Sequence, residues 1–320
     1  MQSSGLYPAQ QTRILWSEIS SGVIMIWHSG KRGTNWIIFA VTLLVVGYLI
    51  VAESGAAVES SKKPLSSVEK RLIADGFDPT TIKRLYSRPQ VSFEADGVIL
   101  LFTYKEAQVD YGQFTNQWSI RKAKDYIQKN KADLTRIEKA YGVDKKVITA
   151  ILLVETGLGA SVGTRSALNT LSTIAALTDP VVRNKLWDLI PDSKKISRKK
   201  FEKRAAARSR WAYEELKALL KYSAREGVDP VSIPGSFAGA VGVAQFMPTN
   251  ILAYGKDGND DGMVDMLNHA DSMASIANFL KSHGWRPGQS RKKAEKIIHH
   301  YNHSSYYVNT ILKISSRLKS

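Results

Sequence analysis

Residues 145–159 read KKVITAILLVETGLG, and this stretch sets the class of the fold. Ile148, Ile151, Leu152 and Glu155 fall at i, i+3, i+4 and i+7, so they share one face of a helix. Asp144 supplies a cap ahead of the run and Gly157 a terminator behind it. A carboxylate closing an apolar stripe is costly unless it is paired, solvated at a cleft or held protonated. The local pattern leaves two readings open: a glutamate pointing to solvent at a helix end, or an acid at the edge of a cleft. Gly157 and Gly159 leave the neighbouring backbone slim enough for a ligand to approach.

Outward from this helix, 3.6-residue periodicity dominates. Ser67 caps VEKRLIA, and Asp78-Pro79 opens a further helix through TIKRLY. The spacing predicts one long helix over residues 120–141 and others over 166–177, 198–226, 270–283 and 291–315. Residues 91–104, VSFEADGVILLFTY, are β-branched and aromatic around Asp96-Gly97 and read as a short hairpin or extended stretch. The expected fold is mainly α with small extended or β elements, in a soluble domain over residues 66–320.

The remaining chain places that domain. Residues 33–52, GTNWIIFAVTLLVVGYLIVA, carry no charge and suffice to cross a hydrocarbon core of roughly 30 Å as one transmembrane helix. Lys31 and Arg32 precede it and Glu53 follows, so residues 1–32 are expected in the cytoplasm and the domain outside. Residues 53–65 read as a linker. Small residues at 54–57 would suit a signal peptidase, while the long segment ahead favours an uncleaved signal anchor. The formal charge of +16 implies an anionic partner, and an extracytoplasmic placement disfavours nucleic acid. The absence of cysteine excludes disulfides and thiolate metal sites.

Three further stretches bear on chemistry. Residues 235–248, GSFAGAVGVAQFMP, set Ser236 and Gln245 among three glycines and several alanines, suited to close packing or to close approach of an extended polymer. Tyr111 and Phe114, in YGQF, are core aromatics or rings on which sugars stack. Residues 257–265, DGNDDGMVD, follow the opening of an EF-hand loop: Asp257, Asn259 and Asp261 at positions 1, 3 and 5, Gly262 at 6, and the Met263 carbonyl at 7. Position 12 is Asn268 in place of the usual glutamate. The basic run over residues 194–210 is a solvated helix face or one drawn to anionic wall polymer or headgroups. The histidines, His299, His300 and His303 among them, show no zinc-ligand spacing.

Taken in order, VETGLG, GSFAGAVGVAQFMP, residues 256–285 and YNHSSYY from Tyr301 resemble the membrane-bound lytic murein transglycosylase B family over roughly residues 66–315. The resemblance implies a lysozyme-like fold and a lyase acting on peptidoglycan. That activity cleaves the MurNAc-(β1,4)-GlcNAc bond without water and leaves 1,6-anhydro-MurNAc ends. It places the catalytic acid/base on Glu155 and substrate contacts on Ser236, Gln245, Tyr111, Phe114, Tyr301 and Tyr307. It closes the metal loop on Asp271 with a structural Ca²⁺. Independently of the resemblance, the apolar segment 33–52 and its flanking charges lead one to expect a single-pass protein of the bacterial inner membrane with a periplasmic catalytic domain. Burial on the apolar face is then expected to raise the pKa of Glu155 and keep it protonated near neutrality. Two departures stand out: TDPVVRN replaces a Pro-Arg-Arg run, leaving only Arg183, and Val243 replaces a tyrosine. The rival readings are a hydrolytic muramidase and a catalytically idle wall-binding scaffold.

Overall fold

The computed structural model describes residues 63–104 and 110–319. Helices dominate, and local capping chemistry sets most of their ends. In chain order they are α1 (Ser66–Ala74), α2 (Pro79–Tyr86), α3 (Ala95–Thr103), α4 (Gln117–Lys129), α5 (Lys131–Tyr141), α6 (Lys145–Thr156) and α7 (Ala167–Ala175). After these come α8 (Pro180–Leu189), α9 (Arg198–Glu226), α10 (Pro248–Tyr254), α11 (His269–Ser282), α12 (Arg291–Tyr301) and α13 (Ser305–Arg317). Two short strands, β1 (Arg165–Ser166) and β2 (Pro234–Gly235), pair antiparallel with Arg165 opposite Gly235. The mainly helical class is the one the periodicity predicts.

α6 is the axis of the domain. Every residue from Val147 to Thr156 is buried, because α4, α5, α11 and α13 all pack around it. Asp144 starts it by accepting the Lys146 amide at 2.8 Å, and Gly157 ends it in the left-handed conformation (φ 60°). α9 runs alongside α7 and α10. Its 29 residues span the same positions that periodicity predicts.

The structure overturns three expectations. Residues 91–104 form no hairpin: Ala95–Thr103 is helix α3. Glu94 caps it by accepting the Gly97 amide at 3.1 Å, so Asp96-Gly97 lies in a first turn. Val98, Leu101 and Phe102 are buried at i, i+3 and i+4, a helical period hidden inside an apolar run. The long helix over 120–141 breaks at Asn130, whose side chain donates to the Tyr126 carbonyl at 2.9 Å. The helix over 291–315 likewise breaks at Asn302 (φ −146°, ψ 123°), and Ser304 restarts the chain by accepting the Tyr307 amide. Helix α8, not foreseen from periodicity, opens with Asp179-Pro180, the same device that opens α2.

Leu65, inside the expected linker, is buried in the core. The apolar segment 33–52 lies outside the described residues; among those described, no helix is long and apolar enough to cross a membrane.

Candidate active site

Glu155 occupies the last turn of α6 and is 2 % exposed. The chain leaves that turn through three residues of positive φ, Gly157, Leu158 and Gly159. Thr156 fixes this exit: its hydroxyl donates to the Val243 carbonyl and accepts the Gly159 amide, each at 2.9 Å. The end of the helix carrying Glu155 is thereby fastened to the glycine-rich segment 235–248.

That segment owes its glycines to packing. A Cβ on Gly242 (φ 76°) would stand 2.1 Å from the Met266 carbonyl oxygen. One on Gly163 (φ 96°) would stand 2.2 Å from that of Gly235. Only glycine admits such approaches in this backbone region. Ser236 folds the turn, its Oγ accepting the amides of Ala240 (3.1 Å) and Ala238 (3.3 Å). Gln245 is held at φ 51°, and its Nε2 donates to the carbonyls of Gly242 (2.7 Å) and Val162 (3.1 Å). Its Oε1 is buried without a hydrogen-bond partner among the described residues, an acceptor left for a donor from outside the fold.

From the opposite side, α12 and α13 bring two tyrosines. The Tyr307 hydroxyl donates to Glu155 Oε1 at 2.7 Å. Tyr301 lies parallel to Tyr307, with centroids 6.3 Å apart and planes 7° apart, and donates to the Ala244 carbonyl at 2.5 Å. Burial pushes both phenols well above their ordinary range, and the Glu155 charge adds to the shift, so both remain protonated donors. Tyr111 is close enough to add to the shift at Tyr307, and its ring stacks on Tyr306 at 6.1 Å. Glu155, Tyr307, Tyr301 and Tyr111 therefore converge, joined to the Ser236–Gln245 loop through Ala244. Phe114 packs half-buried against the core.

Sequence reasoning missed Thr156, which only its neighbouring glutamate could have flagged, and Tyr306, which is 65 % exposed. At the departures, Arg183 donates to the Leu177 (3.0 Å) and Thr178 (3.2 Å) carbonyls and so serves the start of α8. Val243 is buried, its amide donating to the Met266 carbonyl at 2.8 Å.

The loop over residues 257–265 is closed on its own amides. Asp257 accepts those of Gly262 (2.7 Å) and Asp261 (3.2 Å), and Asp261 accepts that of Met263 (2.9 Å). Asn259 Nδ2 donates to Asp261 at 2.7 Å. Asn268, at position 12, caps α11 through the Ala270 amide. Asp271 is fully buried and accepts the amides of Gly258 (2.9 Å) and Asp265 (2.7 Å). Burial, reinforced by the like charges of Asp257 and Asp261, raises its carboxyl above the ordinary range. Among the described residues no three His, Asp or Glu side chains are gathered closely enough to hold an ion. The all-oxygen donor set nevertheless fits a hard divalent cation, which would relieve the repulsion at Asp271.

Known proteins are similar to this chain in sequence and in fold. The *Escherichia coli* membrane-bound lytic murein transglycosylase B is 31 % identical over 155 residues, covering 48 % of this chain and 36 % of the relative, so the match spans about a third of that protein. Several solved structures share the fold, among them the following two. SltB3 of *Pseudomonas aeruginosa*, in complex with NAG-anhNAM-pentapeptide, matches with a TM-score of 0.64 at 19 % identity, covering 80 % of this chain and 78 % of that one. The *E. coli* lytic transglycosylase Slt35, in complex with calcium, matches with a TM-score of 0.61 at 18 % identity, covering 80 % and 92 %. The helical frame around Glu155 is thus the lysozyme-like one, and with residues 60–297 matching the transglycosylase SLT domain, the chain belongs to that family.

Proposed function

We propose that this chain is a peptidoglycan lytic transglycosylase in which Glu155 serves as acid and then as base. One observation carries the reading: the buried Glu155 carboxylate is held by a tyrosine hydroxyl beside the glycine-rich loop. The other buried carboxylates among the described residues are spent on structure, Glu215 on Thr249 and Asp271 on the loop amides. A pair of acids flanking a glycosidic bond is the usual requirement for hydrolysis. A single acid suffices when the nucleophile is the sugar's own C6 hydroxyl. Tyr307 keeps Oε1 as an acceptor, so the transferable proton belongs on Oε2. Donated to the leaving glycosidic oxygen, it leaves a carboxylate that takes the C6 hydroxyl proton as the 1,6-anhydro ring closes. The intramolecular attack needs no positioned water. The anhydro-sugar ligand bound by SltB3 supports the same product class here.

Ser236, Gln245, Tyr111, Phe114, Tyr301 and Tyr307 are assigned to the sugar cleft, with the buried Gln245 Oε1 the acceptor best placed for an N-acetyl amide. Asp257, Asn259, Asp261, the Met263 carbonyl and Asp271 would hold a structural Ca²⁺ that takes no part in the chemistry, a reading supported by the calcium complex of Slt35. Residues 33–52 would anchor the protein in the inner membrane with its domain in the periplasm, in keeping with the membrane-bound relative.

Digestion of purified sacculi with the full chain, followed by mass analysis, tests the reading. Muropeptides one water lighter than reducing-end products are expected. Reducing ends would point to a hydrolase, and undigested sacculi to an idle scaffold.

A further inference from the structure

The densest positive run of the sequence, residues 194–210, falls on the first half of α9 and the turn that leads into it from α8. Lys199, Lys203 and Arg210 are exposed at i, i+4 and i+11, one face of the helix. Lys200 is exposed and Arg204 half-exposed beside them, widening the stripe. None of these five forms an ion pair among the described residues; of the nearby acids, Asp192 is paired by Lys195 and Glu202 by Arg198, while exposed Asp188 of α8 forms no ion pair. α8 is locked to this stripe: Trp187 packs on Phe201 at 5.0 Å, with Arg198 over its ring at 5.2 Å. At that junction Leu189 is left 47 % exposed. A cationic stripe about 16 Å long, edged by an exposed leucine, has the composition of a surface that settles on headgroups.

The path of the chain says which anionic surface lies within reach. Arg71 of α1 donates to the Ala175 carbonyl (3.2 Å) and to Thr178 (3.3 Å), and stacks on Tyr213 of α9 at 3.7 Å. The chain therefore enters the domain beside α7 and the middle of α9, the helix whose first half carries the basic face. Ten residues, 53–62, separate that entry from the apolar segment 33–52. Fully extended they reach at most about 35 Å. So short a tether keeps the basic face close to the membrane and raises its effective concentration there.

We infer that the α8–α9 face docks the domain on anionic phospholipid headgroups, a second membrane contact beside the anchor. This rests on reading residues 33–52 as that anchor. Each lysine or arginine near such a surface favours the docked state by about five-fold, an effect screened by salt. Docking would fix the orientation of the domain above the bilayer rather than its attachment.

The absence of cysteine allows clean site-directed labelling of the full chain. A nitroxide is placed at exposed Ala207, between Lys203 and Arg210, through Ala207→Cys, and a control on α5 through Lys131→Cys. The protein is reconstituted in phosphatidylcholine vesicles with and without phosphatidylglycerol. Exposure of the 207 label to a water-soluble relaxation agent should fall only with phosphatidylglycerol. It should return at about 1 M salt, where the Debye length is about 3 Å. In a Lys199→Glu, Lys203→Glu background the docked fraction should drop at least about five-fold. Equal exposure in both vesicles, or protection at 131 instead, overturns the proposal. So does protection at 207 by added sacculi in phosphatidylcholine alone, which would make wall polymer the partner. Flotation with phosphatidylcholine separately reports the anchor. If that fails, flotation with phosphatidylglycerol vesicles, lost in the charge-reversed variant, still decides the docking face.

Discussion

The Tyr307 hydroxyl donates to Glu155 Oε1 across 2.7 Å although the two residues are 152 positions apart. This contact couples the end of α6 to the start of α13 and orients the carboxyl group. Tyr307→Phe removes the donor while keeping the ring stacked on Tyr301. A hydrogen bond to an ionisable group is worth about 1.5–3 kcal/mol, so turnover of sacculi should fall roughly ten- to a hundredfold, and the melting temperature should fall as well because a buried acceptor loses its donor. Unchanged turnover would show that the contact is only structural.

Glu155→Gln preserves shape and the acceptor for Tyr307 but cannot transfer a proton. Release of muropeptides should fall by about 10²–10⁴-fold or more, with an unaltered far-ultraviolet spectrum and retained binding to sacculi. Substantial residual activity would move the acid/base role elsewhere.

Much of this arrangement is legible in the sequence because its causes are local. Asp144, Asp78-Pro79 and Gly157 announce helix ends by chemistry confined to a few residues. Glu155 stands out by its position on an apolar face. Residues 91–104 mislead because β-branched and aromatic composition favours strand, while the core takes up Val98, Leu101 and Phe102 as a helix. The break at Asn302 is hidden because apolar periodicity continues on both sides of it. Pairings between distant segments, such as Tyr307 with Glu155 or Thr156 with Val243, have no sequence period at all.

Four histidines crowd the corner that presents Tyr301. The rings of His283 and His300 lie 4.8 Å apart and those of His299 and His303 lie 4.9 Å apart. Burial first, then the neighbouring histidines, lowers His300 and His303 below the ordinary value of 6.5. The unfolded chain therefore takes up protons at a higher pH than the folded one. The stability is fully present above pH 6.5 and declines as the pH falls through the folded-state values. Melting temperatures taken downward from about pH 8 should fall below that point, and His300→Asn should flatten the decline. An identical slope in the variant would acquit the cluster.

Calcium should stabilise the chelator-treated protein. At a hundredfold excess over its dissociation constant, a ligand specific to the folded state adds about 2.7 kcal/mol. Asp261→Asn keeps an acceptor for the Met263 amide but removes one charge from the loop, so the calcium-induced rise in melting temperature should shrink at any given concentration. No rise in the unmodified chain would leave the loop a self-satisfied turn.

Gly242 and Gly284 allow backbone strain to be separated from lost space. Both have positive φ, 76° and 92°, so alanine at either costs roughly 1–2 kcal/mol of conformational energy. A Cβ on Gly284 meets nothing within 4 Å, whereas one on Gly242 meets the Met266 carbonyl at 2.1 Å. That carbonyl also accepts the Val243 amide, and the Val243 carbonyl in turn accepts the Thr156 hydroxyl beside Glu155. The Met266 backbone therefore cannot withdraw without loosening the contact that holds the last turn of α6, where Glu155 sits. Gly284→Ala should lower the denaturation midpoint by the strain alone and leave turnover intact. Gly242→Ala should lose at least about 2 kcal/mol more and reduce turnover even under conditions where the fold persists. Equal losses in the two variants would mean that the segment has room to relax and that Gly242 is needed only for its dihedral angles.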